Sequence, residues 1–489
     1  MTNLKIRPIV AEHQNPNPLR KPRVKMLSQG CRARPFLALI SPALALLAAS
    51  SVVGAEAGPL ADYVAKPDAS YGWKLRREGK FESGEFVELT LTSQTWHGID
   101  WKHQLFIIKP NTIRNSSRAL LLITGGKWSD ELAAPVKDPL DGIPKQARMI
   151  VDLAVQLGTP IAVVLQVPFQ PLFNGLSEDS LISYTFGQYL VTKDPTWPLL
   201  LPMAKSAVRA MDAVQAVSKE RWQLDVKNFT VTGASKRGWT TWLTAAVDPR
   251  VDAFAPMVID TLNMSEQMQH QVASWGHYSE QIHDYTDRGL QRLLDTDRGR
   301  ALQKIIDPYQ YRAALKQPKL ILLGTNDRYW TLDALNLYWS GLTGDKYILY
   351  VPNVGHSLND LGRVTGSLCA FHRAASGELK LPKLDWKASE SPEGLKLTVS
   401  SDQQPGRVSA WVARSKTRDF RDATWLSSTI DASSDGQYAY TLPRPQSGFA
   451  AVFGETMFST ETMPYYLSTN VTIIGVEPAA IPATPSAGQ

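Results

Sequence analysis

Short, fully apolar runs recur along this chain with helical segments between them, and that alternation limits its fold more than any other feature. Residues 119–123, 160–165, 229–232, 251–259, 319–323 and 347–351 have the length of strands and the composition of segments buried on both faces. Residues 144–157 and 203–219 carry apolar side chains at helical spacing. Strands of this kind separated by helices form a mostly parallel sheet covered on both sides. The predicted fold class is therefore α/β, over roughly 70–380. Ahead of these runs, residues 85–93 alternate with period two and 103–108 follow after a short break, which reads as a strand pair near a sheet edge.

Two stretches are too long to be simple crossovers. Residues 166–200 hold Phe169, Phe173, Tyr184, Phe186, Tyr189 and Trp197, and residues 262–317 hold Trp275, Tyr278, Tyr285, Tyr309 and Tyr311. Insertions above such a sheet form lids or binding walls; equally, the aromatics could serve only to anchor the insertions. The pattern changes after about residue 378. Alternating runs at 395–400, 408–413 and 448–454, separated by Ser-, Asp- and Gly-rich turns, predict a small sandwich-like β domain over 379–476. The main domain is then 58–378. The Pro/Ala-rich end, 477–489, is expected to be disordered.

Residues 1–57 read as a leader and signal peptide. Arg32 and Arg34 precede an Ala/Leu-rich apolar stretch, and small residues at 53–57 fit a cleavage site. A retained anchor is the rival reading, and Met26 is an alternative start. Export to the periplasm or medium is the expectation, with no stable transmembrane anchor. The leader carries eight Lys or Arg and two acidic residues, which accounts for the whole formal charge of +6. The near-neutral remainder gives no electrostatic reason to expect a nucleic-acid partner. Of two cysteines, Cys31 leaves with the signal, and Cys369 has no intrachain partner. No feature of the sequence sets the oligomeric state.

The chemistry centres on Gly233-Ala234-Ser235-Lys236-Arg237-Gly238-Trp239, directly after an apolar strand. Small residues allow a sharp strand-to-helix turn that exposes the Ser235 hydroxyl, as in an α/β-hydrolase nucleophile elbow. The commonest elbow has glycine two residues after the serine. Here that position is Arg237, which must find room, and the other reading is an ordinary turn with a serine helix cap. His356, on a Gly-bearing loop after the last apolar run, is the candidate base. Asp327, 29 residues earlier and after another strand, is the candidate orienting acid. Asp260 is the runner-up acid and Asp333 the third choice. The Lys236 N–H, with that of Gly126 or Lys127 after residue 123, would form an oxyanion hole. The side chains of Lys127, Lys236 and Arg237 either face an anionic substrate group or are paired with acids. Trp128, Arg237, Trp239 and Trp275 are candidate substrate contacts. His270, His277 and His283 lack the spacing of a metal motif, so neither metal nor cofactor is expected. The mechanism expected is acyl transfer on an ester, amide or peptide. Sequence does not separate esterase from peptidase, and a noncatalytic secreted signalling or binding protein on the same fold is the other class of reading.

The stretch TGASKRGWTTWLTAAVDPRVDAFAPMVID, with LLGTNDRYW and VPNVGHS, resembles the PhoPQ-activated pathogenicity-related protein family, which includes autocrine proliferation repressor proteins. The resemblance spans most of 60–460. It implies an α/β-hydrolase fold, frequent export, an association with virulence, and a serine, acid and histidine at Ser235, Asp327 and His356. The elbow is also similar to that of glucuronoyl esterases, with Lys236 in place of arginine, which implies an anionic or carbohydrate-linked ester.

Overall fold

The computed structural model describes residues 58–476 apart from 139, 141–145 and 435. The leader, signal segment and C-terminal tail lie outside the described residues. The main sheet contains β1 (Gly72–Phe81), β2 (Gly84–Trp96), β3 (Ile99–Pro110), β4 (Arg118–Ile123), β5 (Ile161–Val164), β6 (Asn228–Ala234), β7 (Val251–Met257), β8 (Lys319–Gly324) and β9 (Lys346–Val351). Their spatial order is β1-β2-β3-β5-β4-β6-β7-β8-β9. The first three strands pair antiparallel and β3 meets β5 antiparallel; from β5 to β9 every pairing is parallel. The predicted apolar runs thus become the parallel half, and all six residues of β8 are buried. β1 was not expected. It is a charged, half-buried edge strand in which Trp73 and Phe81 pack on the core but Lys74, Arg76, Arg77, Glu78 and Lys80 obscure the alternation.

The helices are α1 (Pro59–Ala65), α2 (Gln146–Leu157), α3 (Glu178–Thr192), α4 (Leu200–Trp222), α5 (Lys236–Val247), α6 (Met264–Trp275), α7 (His283–Thr286), α8 (Asp297–Ile306) and α9 (Leu361–Ala375). No helix among the described residues is long and apolar enough to cross a membrane. α3 lies in the first long insertion, and α6, α7 and α8 lie in the second. The connection from β4 runs to β5 on one side, while β6 sits on the other. Ligands bind at such a switch point, outside the carboxyl ends of the strands. The loop after Ile123 and the turn after Ala234 leave the sheet there side by side, since Ile123 pairs with Gly233.

Among the described residues, eight further strands follow α9: β10 (Leu384–Ser391), β11 (Gly394–Ser401), β12 (Arg407–Ser415), β13 (Leu426–Thr429), β14 (Tyr438–Pro443), β15 (Gly448–Ser459), β16 (Pro464–Ser468) and β17 (Thr472–Val476). They form two antiparallel sheets, β10-β11-β14 and β13-β12-β15-β16, with β17 also on β15. Leu395, Leu397, Val399, Val408, Ala410 and Val452 share a core between them. Phe449, Ala451 and Phe453 of β15 belong instead to the main α/β core. β16 is stitched to α9 and β9: Tyr466 N–H donates to Ser367 Oγ at 2.9 Å, and Tyr350 N–H to Ser468 Oγ at 3.0 Å.

Candidate active site

β6 ends at Ala234 and α5 begins at Lys236, so Ser235 alone makes the turn. Its backbone sits at φ 59° and ψ −126°, where non-glycine residues are strained by about 1–3 kcal/mol. The turn closes tightly because Gly233 before it and Gly238 after it lack side chains. A Cβ on Gly233 would approach the Arg237 carbonyl oxygen to 2.7 Å, and one on Gly238 would approach Ile259 Cγ2 to 2.7 Å. The strain is held by backbone hydrogen bonds: Ser235 N–H donates to the Met257 carbonyl, and Trp239 N–H to the Ser235 carbonyl, each at 2.9 Å.

Arg237 finds its room over Gly125. A Cβ at position 125 would collide with the guanidinium itself. There Arg237 Nε donates to the Val167 carbonyl at 2.5 Å, while its two terminal nitrogens each reach the Glu178 carboxylate at 2.7 Å. Burial would raise the Glu178 carboxyl, but the hydrogen bonds and charge of Arg237, helped by Gln170 and Lys236, hold it down at about 2. Gln170 Nε2 bridges Glu178 (2.6 Å) and the Gly126 carbonyl (3.1 Å), tying this pair to the loop after β4. Lys236 Nζ pairs with Asp179 at 2.8 Å, and Asp179 also accepts the Tyr285 hydroxyl at 2.9 Å. Burial works against the Lys236 charge, yet Asp179 more than offsets it and keeps the ammonium above its usual range. Of the two readings of these cations, pairing with acids is the one realised for Lys236 and Arg237. Arg237 is buried in that pairing and does not line the cavity at Ser235.

Ser235, His356 and Asp327 meet as the sequence predicted. Ser235 Oγ lies 2.8 Å from His356 Nε2, and His356 Nδ1 lies 2.8 Å from Asp327 Oδ2. The other carboxylate oxygen, Asp327 Oδ1, accepts the Tyr329 N–H at 2.9 Å. The Tyr329 ring lies over the imidazole, with centroids 4.3 Å apart. Asp260 and Asp333 do not hold His356. Burial pushes the Asp260 carboxyl up to about 7, and the nearby charge of Asp327 acts in the same direction. Asp333 is engaged by His270 Nε2 at 2.7 Å and Arg418 at 2.8 Å. His277 and His283 face the backbone carbonyls of Tyr278 and Glu280. Among the described residues, no group of three His, Cys, Asp or Glu could hold a metal ion.

Lys236 occupies the first position of α5, where the N–H has no carbonyl of its own helix to bind. Gly126 lies at φ 119°, a conformation that favours glycine, and Lys127 beside it is exposed. An apolar, partly open cavity of about 80 Å³ has Ser235 and His356 in its wall and is otherwise lined largely by residues of the two insertions. Trp239 lines it and is anchored by its Nε1–H to the Ile306 carbonyl at 2.6 Å. Trp128 and Trp275 do not line it. Trp128 packs near Phe169, while Trp275 lies under the Arg421 guanidinium, 4.1 Å from its ring centre. The insertion aromatics divide between the two expectations. Phe186 and Tyr285 face the cavity, whereas Phe173, Tyr184 and Trp197 cluster with one another, Phe173 and Trp197 also meeting Trp96. Glu178, Asp179, Gln170 and Tyr329 were not anticipated. The acidic pair opening a helix, opposite two adjacent cations, was the available signal for the first two.

The parallel sheet, the elbow after β6 and the loops after β8 and β9 define an α/β-hydrolase fold. Solved structures with a similar fold include acetyl xylan esterase 1 from a Thermoanaerobacterium species, at 16% identity and TM-score 0.43, covering 65% of this chain and 92% of that one. A glucuronoyl esterase from Solibacter usitatus matches at 12% identity and TM-score 0.40, covering 66% and 88%. The chain belongs to the PhoPQ-activated pathogenicity-related protein family, whose model matches residues 60–421. It is 33% identical over 455 residues to autocrine proliferation repressor protein A of Dictyostelium discoideum, covering 86% of this chain and 90% of that protein.

Proposed function

We propose that this protein is an exported serine hydrolase that cleaves an ester or amide by acyl transfer, with Ser235 as nucleophile. The observation that carries the reading is the unbroken relay from Ser235 Oγ through His356 to Asp327, each contact 2.8 Å. His356 Nε2 takes the hydroxyl proton as Ser235 attacks the carbonyl, then returns it to the leaving group. Asp327 fixes the imidazole with Nδ1 protonated and stabilises the imidazolium. The Lys236 N–H at the positive end of α5, with the loop at Gly126, supports the developing oxyanion. Export rests on the charged, apolar and small-residue pattern of residues 32–57. N-terminal sequencing of protein from its host should begin near residue 56 or 58; a chain starting at Met1 in the cytosol would defeat that part.

The decisive test is intact-protein mass spectrometry after treatment with a small fluorophosphonate. Wild type should gain one adduct, mapping to Ser235, and Ser235→Ala should gain none. A folded wild type that takes no label would overturn the reading. A second reading, a secreted signal that acts by binding, is favoured by the name of the Dictyostelium relative, a proliferation repressor. Under it, Ser235→Ala would retain full biological activity.

A further inference from the structure

We infer that the substrate carries an aliphatic chain beside its scissile bond and that this chain lies in the cavity between the two insertions. The inference rests on Ser235 being the nucleophile and concerns what the site selects.

The cavity begins at the reacting atoms, since Ser235 and His356 both line it. It then follows α3. Asp179, bonded to Lys236 beside the nucleophile, and Leu190, eleven residues further along the same helix, are both in its wall. At 1.5 Å per residue that separation is about 16 Å, which is the scale of a chain rather than of an acetyl group or one amino-acid side chain. At Leu190 and Leu293 the wall is shared with a shallow surface hollow at residues 296–298, and Leu293 is 38% exposed. The cavity therefore runs from the nucleophile toward the surface on the far side of the insertions.

Its lining is apolar, with aliphatic side chains alongside Trp239, Tyr285, Tyr329 and Trp330. Phe186, Leu190, Met268, Leu290, Leu302 and Ile306 come from four separate segments and converge on it. Met268 is a flexible filler that adapts to a chain of variable length. The charged groups in the wall are already consumed, because Lys236 and Asp179 neutralise each other and Asp179 also takes the Tyr285 hydroxyl. Gln291 Oε1 is a buried acceptor without a protein partner. With the buried Trp330 Nε1–H, also without a protein partner, it offers one acceptor atom and one donor, too few for the ring of hydroxyls on a sugar.

The experiment uses the mature full chain and two ester series. The first is p-nitrophenyl esters of acetyl, butyryl, hexanoyl, octanoyl and dodecanoyl groups. The second is acetates of alcohols of the same lengths. Burial of a methylene, about 0.8 kcal/mol, corresponds to about fourfold in kcat/KM per added methylene, or about fifteenfold per two-carbon step of the series. A rise of that order in either series up to the hexanoyl or hexyl length supports the inference, and the series that rises tells whether the chain is on the acyl or the alcohol side. Leu293→Trp and Leu190→Trp, which narrow the far end, should each lower the octanoyl-to-acetyl ratio about tenfold or more, read as a ratio on one folded preparation. Fluorophosphonate labelling is run in parallel. Labelled protein with both series flat, or with a preference for acetylated sugars or for leucyl and phenylalanyl esters over alkyl chains, overturns the inference while leaving the nucleophile standing. Protein that takes no label overturns the functional reading itself.

Discussion

Gly125→Ala should unseat the arginine that occupies the glycine position of the elbow. The new methyl would lie within the volume of the Arg237 guanidinium. The backbone at 125 is not in the left-handed region, so an alanine there acts through that collision. Arg237 would have to leave the Val167 carbonyl and both oxygens of Glu178. Each charge-assisted bond contributes about 1.5–3 kcal/mol where burial is complete. Glu178 is 39% exposed and recovers part of its hydration, whereas Arg237 at 10% recovers little. A net loss of about 2–4 kcal/mol follows, large enough to move a urea midpoint with an unchanged slope. The assay is a double-mutant cycle with Arg237→Ala, a change that keeps the Cβ and removes the guanidinium. In that background Gly125→Ala should cost within about 0.5 kcal/mol of nothing, because there is no group left to displace. If Gly125→Ala costs the same in both backgrounds, the account of how the elbow accommodates Arg237 is wrong.

Asp327→Asn should lower kcat by roughly 10⁴-fold with the fold intact, since the imidazole then loses its tautomer, and circular dichroism with steady-state kinetics checks both parts. Asp260→Asn should leave kcat within the same order of magnitude. It should also change the pH dependence of stability. The native Asp260 carboxyl binds its proton up to about pH 7, whereas an unfolded aspartate releases it near 3.9. Wild type therefore loses stability as pH rises from about 4 to about 7, and the variant's advantage in thermal midpoint should open across that window and then level off. Tyr329→Ala keeps the N–H that holds Asp327 but removes the ring over His356, and should cost about tenfold in kcat through loosened positioning.

The parallel strands, the sharp turn at Ser235, the loop bearing His356 and the placement of Asp327 beside it were legible because each is local. An apolar run announces a buried strand, and a chemistry-bearing residue directly after it lands at the carboxyl edge of the sheet. What surrounds the site was not legible, because it is made by contacts between distant segments. Glu178 meets Arg237 across 59 positions, and Gln170 meets Gly126 across 44. Neither pairing leaves a periodic trace. The insertions were read as a candidate binding wall from their aromatics, but the aliphatic part of the wall was missed for the same reason: its leucines and methionines lie in helical segments whose apolar residues look like ordinary packing. The surroundings of Trp275 were not legible, because an aromatic residue in an insertion has two uses and the residue it stacks with, Arg421, comes 146 residues later.

The loops bearing Asp327 and His356 are both fastened to the segment that joins β12 to β13. Asn326 Nδ2 donates to the Ala423 carbonyl at 2.7 Å, and Asn353 exchanges two hydrogen bonds with the Trp425 backbone, at 2.7 and 2.9 Å. A chain cut after α9 would keep the serine, acid and histidine, yet lose the fixtures that aim two of the three. The C-terminal sheets are therefore not an interchangeable cassette. Recombination that swaps them between relatives must carry the 420–425 segment and its two asparagine partners together, so these distant stretches are expected to be inherited as one block.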